Sequence, residues 1–212
     1  MSRTRSIALG AVVAIVALLA GALISHVLLQ SSDSQPALVS GTLLEPARPL
    51  PPLEFIDQAR QPFDAGRLQG RWTLMFFGFT SCPDVCPTTL ATLAQTEKLL
   101  GDLPGAQRPQ VVFVSVDPQR DTPEQLASYV QFFDPGFVGI TATQERIERF
   151  TREMGVVVAI TPLEGGGYTV DHSAAIFLVD PNGAMRALFS APHSAQQLAA
   201  DYRKVVSHDA AG

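Results

Sequence analysis

Two cysteines, Cys82 and Cys86, are the residues of this 212-residue chain whose type and spacing most clearly point to chemistry. They are its only cysteines, and they lie within FFGFTSCPDVCP (residues 76–87), where an apolar run breaks into a proline-rich turn. Two thiols four positions apart can bind a soft metal ion or exchange a disulfide. A structural disulfide is a third interpretation, although closing so small a loop would contribute only about 2 kcal/mol.

The proline after the second cysteine indicates where these thiols lie. Pro87 suits the first position of a helix, so we expect Cys86 at or just before the helix start and Cys82 in the preceding loop. The unpaired amides of a first helical turn should lower the pKa of both thiols, which serves metal binding and disulfide exchange alike. Side chains four apart on a helix are about 5–6 Å apart at Cβ, wider than the about 3.8 Å of a disulfide. The spacing therefore slightly favours a metal.

Two thiolates leave a metal short of ligands, so the histidines matter. His172 lies in VDHS (170–173), immediately before the apolar run 174–179, whereas His26, His193 and His208 have no such context. A histidine at a strand end is usually structural, but one beside a reactive loop can supply a third ligand. Two thiolates and one imidazole suit Cu(I), and an added oxygen donor can hold Cu(II). Structural zinc usually needs four protein ligands.

The hydrophobic pattern predicts the elements that position these residues. Trp72–Phe79 and Val111–Val116 are predicted as buried strands, with helices from Pro87 to Gly101 and from Pro123, the latter capped by Thr122. We also predict strands at Leu53–Ile56 and Phe137–Ile140, hairpins pairing Val156–Ile160 with Tyr168–Val170 and Ala174–Val179 with Ala184–Phe189, and helices after Thr143 and from Ser194. This order predicts an α/β domain with a central mixed sheet flanked by helices. A reactive pair after the first long strand is the layout of a thioredoxin-like fold.

The N-terminal segment predicts a membrane anchor. The segment Ile7–Leu29 is apolar and carries no formal charge. It is long enough for one transmembrane helix and longer than the apolar core of a cleavable signal peptide. Cleavage after the polar residues 31–34 remains the alternative. Arg3 and Arg5 precede the span, so the N-terminus should be cytoplasmic and the domain periplasmic. We therefore expect an anchor at 1–30, a semi-rigid Pro/Ser-rich linker at 31–52 and the domain at 53–212.

The charge of the chain excludes one class of partner. Its formal net charge is −5, although two arginines lie before the apolar span. An acidic domain is the wrong sign for binding nucleic acid. The predicted compartment permits disulfides, so neither thiol chemistry is excluded by location.

Three sequence blocks, in this order, carry a resemblance to a known family. FGFTSCPDVCP (77–87), SVDP with RDTPE (115–118 and 120–124) and VDHS (170–173) resemble the Sco/SenC family. The resemblance extends from about residue 52 to 206 and includes the N-terminal anchor. It implies a thioredoxin-like fold and a copper-binding role in assembling the binuclear copper centre of cytochrome c oxidase. It also implies that Cys82, Cys86 and His172 are the copper ligands.

Together these features predict a membrane-tethered copper chaperone. It would take copper from a donor and deliver it to the copper-accepting subunit of cytochrome c oxidase. The alternative is a thiol-disulfide oxidoreductase that reduces the acceptor cysteines before metallation, with Cys82 attacking and Cys86 resolving. Asp84 is expected to accept a helix-start hydrogen bond, with an approach to Cu(II) as the alternative. Asp117 and Asp121 are expected as turn and capping residues, with partner contact as the alternative.

Overall fold

The computed structural model describes residues 14–25 and 36–210 of the chain, which divides into the units Met1–Gln35 and Pro36–Gly212. In the first unit, residues 14–25 are helical. Within the two described ranges, no helix combines the length and apolar character needed to cross a membrane. The transmembrane helix predicted over residues 7–29 extends at both ends beyond what the structure describes.

The second unit contains ten strands and four α-helices in the described part. The strands are β1 (Gly41–Pro49), β2 (Phe55–Asp57), β3 (Pro62–Phe63), β4 (Thr73–Gly78), β5 (Gln110–Ser115), β6 (Val138–Thr141), β7 (Val158–Pro162), β8 (Tyr168–His172), β9 (Ile176–Val179) and β10 (Ala184–Phe189). The helices are α1 (Val85–Leu99), α2 (Pro123–Phe133), α3 (Gln144–Met154) and α4 (Ala195–Asp209). The predicted elements are thus present, with boundaries shifted by a few residues.

Eight strands form one sheet in the order β1-β10-β9-β4-β5-β6-β2-β3, and β7 pairs with β8 in a separate two-stranded ribbon. Strand β4 is at the centre, and all six of its residues are buried. It pairs in parallel with β5, placing Phe76 opposite Phe113, and antiparallel with β9, placing Phe76 opposite Ile176. The predicted central mixed sheet is therefore confirmed.

Alternation along β4 divides the interior into two cores. Leu74 and Phe76 face a core shared with α1, α2 and α4, whereas Met75 and Phe77 face a core shared with α3. Successive side chains of a strand point to opposite faces, so a strand buried on both sides is apolar throughout. Helices therefore cover both faces of the sheet, and Cys86 belongs to the first core.

The helix starts follow the sequence closely at α2 and less closely at α1. Thr122 caps α2 through its side chain, which accepts from the amide of Gln125, and Pro123 opens the helix as predicted. Helix α1 instead begins at Val85, so Cys86 lies inside its first turn. Pro87 is tolerated there because the amides of a first turn have no helical partner to lose.

The predicted linker is wrong for residues 41–49, which form the edge strand β1. This strand pairs antiparallel with β10, from Gly41 opposite Phe189 to Pro49 opposite Ala184, with an irregularity between Leu43 and Arg48. Proline is compatible with an edge strand because the side facing away from the sheet needs no donor. The proline content of this segment suggested a spacer, but its backbone forms the edge strand of the sheet.

The chain entering β1 is held by a buried carboxylate on α4. Asp201 has no exposed surface and accepts hydrogen bonds from the Val39 amide (2.9 Å), the Ser40 amide (2.7 Å) and the Ser40 hydroxyl (2.9 Å). Burial alone would raise the pKa of Asp201, but these hydrogen bonds outweigh it and hold the pKa below its usual value. The ionised carboxylate thus stabilises the junction between β1 and α4.

We expect Asp201→Asn to lower the free energy of unfolding by about 2–3 kcal/mol at pH 7, because bonds to a charged acceptor are lost. Since the folded pKa lies below the unfolded one, this stabilisation is present above the unfolded pKa and disappears as the pH falls through the folded pKa. Urea unfolding at several pH values from 7 downwards should show wild type and variant converging in acid. Asp102→Asn, which breaks an exposed pair with Arg203, is the control and should change the stability much less than Asp201→Asn does. A pH-independent difference would contradict the assignment.

Candidate metal centre

Three side chains from two parts of the fold meet where β4 leads into α1. Cys82 lies in the connecting loop, Cys86 in the first turn of α1, and His172 at the end of β8. Their ligand atoms all lie within 4.8 Å of one another, and the Cys86 Sγ is 3.2 Å from the His172 Nε2. The structure therefore brings together the three residues that the sequence singled out. No second group of three or more potential metal ligands occurs in the described ranges.

The two cysteines carry free thiols that differ in exposure. Cys86 is fully buried, whereas Cys82 is half-buried. The Cys86 amide donates a hydrogen bond to the Cys82 Sγ at 3.4 Å. The sulfur thus accepts from one of the amides at the start of α1 that have no partner within the helix. The expectation of a lowered thiol pKa is wrong for Cys86: burial raises its pKa, and the neighbouring Cys82 side chain adds to the effect. A metal binding there must displace the proton of a buried thiol.

The imidazole of His172 is oriented towards the cysteines. Its Nδ1 lies 3.0 Å from the Ser173 carbonyl oxygen, which can only accept, so Nδ1 carries the hydrogen and Nε2 presents its lone pair to the Cys86 side. Burial lowers the pKa of His172 and keeps the ring neutral at physiological pH. The rings of Phe76 and Phe79 stand edge-on to it, each at a centroid distance of 6.0 Å. His172 is thus held as a neutral nitrogen donor.

The aromatic walls were not predicted as part of the site. Phe76 and Phe79 stand on either side of Gly78, in the same apolar run that leads to Cys82. Both side chains are almost completely buried. Phe76 packs in the first core and Phe79 in the second, so the alternation of this run does not predict that both rings contact one histidine. Their contact with His172 depends on the docking of the β7–β8 ribbon, which the run itself does not encode.

Of the three aspartates near the site, Asp117 has its expected role, whereas Asp84 and Asp121 make different contacts. Asp84 stands at the N-cap position of α1 but makes no side-chain capping bond, so the favoured interpretation of this residue is wrong. Asp121 is fully buried and crosses to the cysteine loop, accepting from the Thr80 hydroxyl and the Ser115 hydroxyl, both at 2.6 Å, and from the Thr80 amide. Asp117 does form the predicted turn, accepting through its carbonyl from the amides of Arg120 and Asp121.

The site opens to solvent on the side of Cys82 and His172. A cleft of about 320 Å³ is lined by nine residues: Phe79, Cys82, Pro83, Asp84, Val85, Thr169, Val170, Asp171 and His172. The Cys86 side chain lies beneath this cleft, away from solvent. Two sulfurs and one nitrogen, with an open side, match a soft ion of low coordination number.

The other histidines lie elsewhere. His193 Nε2 is 2.7 Å from the Ala174 carbonyl oxygen, and His208 pairs with Glu45 at 2.9 Å. Neither belongs to the Cys82–Cys86–His172 group. His26 lies outside the described residues. His193 and His208 therefore make hydrogen-bonding contacts outside this group.

Comparison with protein families finds a match over nearly the whole domain. The family model described as SCO1/SenC matches residues 43–207. A relative from Stutzerimonas stutzeri is 41% identical over 152 residues, covering 71% of this chain and 73% of the relative. The bovine protein named "Protein SCO2 homolog, mitochondrial" is 40% identical over 137 residues, covering 64% of this chain. The chain spans about half the length of that bovine relative, 52% of it.

Solved structures show the same fold. The structure of Arabidopsis thaliana ScoI with copper bound is 32% identical with a TM-score of 0.69, covering 74% of this chain and 98% of that one. Yeast Sco1 with copper bound is 28% identical with a TM-score of 0.68, covering 78% and 90%. These matches confirm the predicted thioredoxin-like α/β fold, and the cysteines and histidine form a site compatible with copper. The chain belongs to the SCO1/SenC family.

Proposed function

We propose that this protein is a membrane-tethered copper chaperone that delivers copper to the binuclear copper centre of cytochrome c oxidase during assembly. The observation that carries the proposal is the grouping of the Cys82, Cys86 and His172 ligand atoms within 4.8 Å. Family membership supports it, because the Arabidopsis and yeast relatives were solved with copper bound. Copper is the cargo of this site, and the two thiols and the imidazole are its ligands.

Transfer would proceed by ligand exchange through the open cleft. Cys82 and His172 line the cleft, whereas Cys86 is buried below it. A thiolate of the copper-accepting subunit can therefore replace His172 or Cys82 first, and Cys86 releases copper last. Each exchange keeps the ion bound to sulfur, which prevents its release into solvent. The difference in exposure between the two cysteines thus sets the order in which the ligands release copper.

The location of the domain is part of the same proposal. The uncharged apolar segment from Ile7 to Leu29, preceded by Arg3 and Arg5, supports a single-pass anchor in the inner membrane with the domain in the periplasm. The copper donor and the oxidase subunit would then be met on the periplasmic side. Protease accessibility of the domain in spheroplasts, compared with intact cells, tests this orientation.

A second candidate function rests on the same difference in exposure. A half-buried Cys82 and a buried Cys86 suit a thiol-disulfide reductase of the acceptor cysteines. The Cys82 thiolate would attack the acceptor disulfide and release one acceptor thiolate. Cys86 would then attack the Cys82 sulfur, freeing the second acceptor thiol and leaving a Cys82–Cys86 disulfide. An external dithiol must reduce that disulfide before another cycle.

One experiment separates the two functions. Full-length protein in detergent is reduced, loaded with one Cu(I), and mixed with the metal-free copper-accepting domain of the oxidase, with its cysteines either reduced or oxidised. We expect copper to move to the reduced acceptor even when a chelator too weak to strip the loaded protein is present. Reduction of the oxidised acceptor by the metal-free protein over many turnovers, with an external dithiol supplied, and no movement of copper to the reduced acceptor would instead favour the reductase. Metal-free protein is the control for transfer.

A further inference from the structure

The strand that carries His172 is not part of the main sheet. In the part of the chain that the structure describes, strand β8 pairs with β7 alone. The two strands form a ribbon separate from the eight-stranded sheet, whose strand β4 leads to the cysteines. Within the described residues, no ladder of backbone hydrogen bonds joins β8 to the strands beside the cysteines. The short connection 173–175 links His172 to β9, which pairs with β4, and side-chain contacts between the ribbon and the rest of the domain add to this restraint.

Arg120 makes such contacts with the first residue of β8. Its guanidinium carbon lies 4.1 Å from the centroid of the Tyr168 ring and 5.5 Å from that of the Phe79 ring. Its Nη1 also donates to the Tyr168 carbonyl oxygen at 3.2 Å. A guanidinium can stack and donate in fixed directions at once, which a lysine ammonium cannot. Arg120 thus joins the ribbon to Phe79, whose ring stands against His172.

Asp117 completes the attachment. Its carboxylate is buried, accepts from the Arg120 Nε, and accepts from the Tyr168 hydroxyl at 2.7 Å. Tyr168 is therefore bound at both its backbone and its phenol end. His172 is four residues further along the same strand, about 13 Å away in an extended chain.

The same short segment also holds the cysteine side of the site. Asp121 binds the amide and hydroxyl of Thr80, two residues before Cys82. Residues 117–121, which connect β5 to α2, thus contact both the loop that carries Cys82 and the ribbon that carries His172. The sequence block that was expected first to supply a turn and a cap lies between the two halves of the metal site.

We propose that the segment Asp117–Asp121 positions His172 relative to Cys82 and Cys86, with Arg120 as the residue that docks the ribbon. The inference rests on the proposed function, since it treats these three residues as the copper ligands. Arg120 does not touch the copper site itself and acts through Tyr168 and Phe79. Loss of the docking should leave a two-cysteine site from which the imidazole is displaced.

The test measures the Cu(I) affinity of full-length protein in detergent by competition with a chromophoric chelator. Arg120→Leu should weaken binding by about 10–100-fold, the range for residues that support a metal ligand from behind. Tyr168→Phe removes only the hydroxyl bond to Asp117 and should produce a smaller loss with the fold intact. Arg60→Leu breaks an exposed pair with Glu124 and is the matched control, with an affinity equal to wild type.

A double-mutant cycle distinguishes positioning from general destabilisation. If Arg120 acts through His172, the variant carrying both Arg120→Leu and His172→Ala should bind copper as tightly as His172→Ala alone. Additive losses would overturn the inference. In the Cu(II)-loaded Arg120→Leu protein, the nitrogen hyperfine coupling in the electron paramagnetic resonance spectrum should also decrease. An unchanged affinity in Arg120→Leu would overturn the inference alone, whereas an unchanged affinity in His172→Ala would overturn the proposed copper site.

Discussion

We expect His172→Ala to lower the affinity of the reduced protein for Cu(I) by at least about a hundredfold. Loss of a residue that merely supports a ligand typically costs 10–100-fold, and loss of the ligand itself should cost no less. The His172 Nε2 lies 3.2 Å from the Cys86 Sγ, and its neutral ring points a lone pair to that side. Without it, two thiols remain, and a two-coordinate ion is open to competing ligands. Chelator competition measures the difference directly.

The same substitution separates the metal role from the redox role. Disulfide exchange between Cys82 and Cys86 needs no imidazole ligand, so the rate of disulfide formation in His172→Ala should remain within a few-fold of wild type. His208→Ala is the matched control, because His208 pairs with Glu45 outside the metal centre. It should bind copper as wild type does. Equal copper affinity in His172→Ala and wild type would remove His172 from the ligand set.

The strands and helices of the domain could be predicted because their signals are local. Residues 74–77 of β4 form one buried apolar run, and Thr122 followed by Pro123 specifies the start of α2 to the residue. Such patterns depend only on residues that are close in the sequence. The edge strand β1 was missed because its identity depends on pairing with β10, about 140 residues away, and its prolines suggest a spacer when taken alone.

The site was predictable in its residues and less so in its chemistry. His172 was singled out by its place before an apolar run and by the family resemblance, and the fold brings it to Cys86. The pKa of Cys86 was expected in the wrong direction, because the helix start is a local feature and burial is not. The ribbon is separate from the sheet, and Arg120 contacts Tyr168. Both features depend on residues that are distant in the sequence, so no local pattern predicts them.

Gly78 is the residue of β4 that allows Cys86 to lie so close to the sheet. A Cβ at this position would stand 2.9 Å from the Cys86 Sγ and 2.7 Å from the Phe113 ring. All three residues are buried, so neither neighbour can move into solvent. An added methyl group must therefore displace the Phe113 ring, push α1 away from the strand or rotate the Cys86 thiol out of its position. The last two responses change the distance between Cys86 and His172.

We expect Gly78→Ala to lower the free energy of unfolding by about 1–3 kcal/mol, the usual cost of overpacking a close-packed core. We also expect its Cu(I) affinity to fall by tenfold or more, since a ligand is displaced. Urea unfolding of the metal-free protein and chelator competition on the loaded protein measure the two effects separately. Gly105→Ala is the control, because a Cβ there meets nothing within 4 Å. If Gly78→Ala has the stability and copper affinity of wild type, the added methyl group fits without displacing Cys86. The packing of Cys86 against β4 then does not define the site.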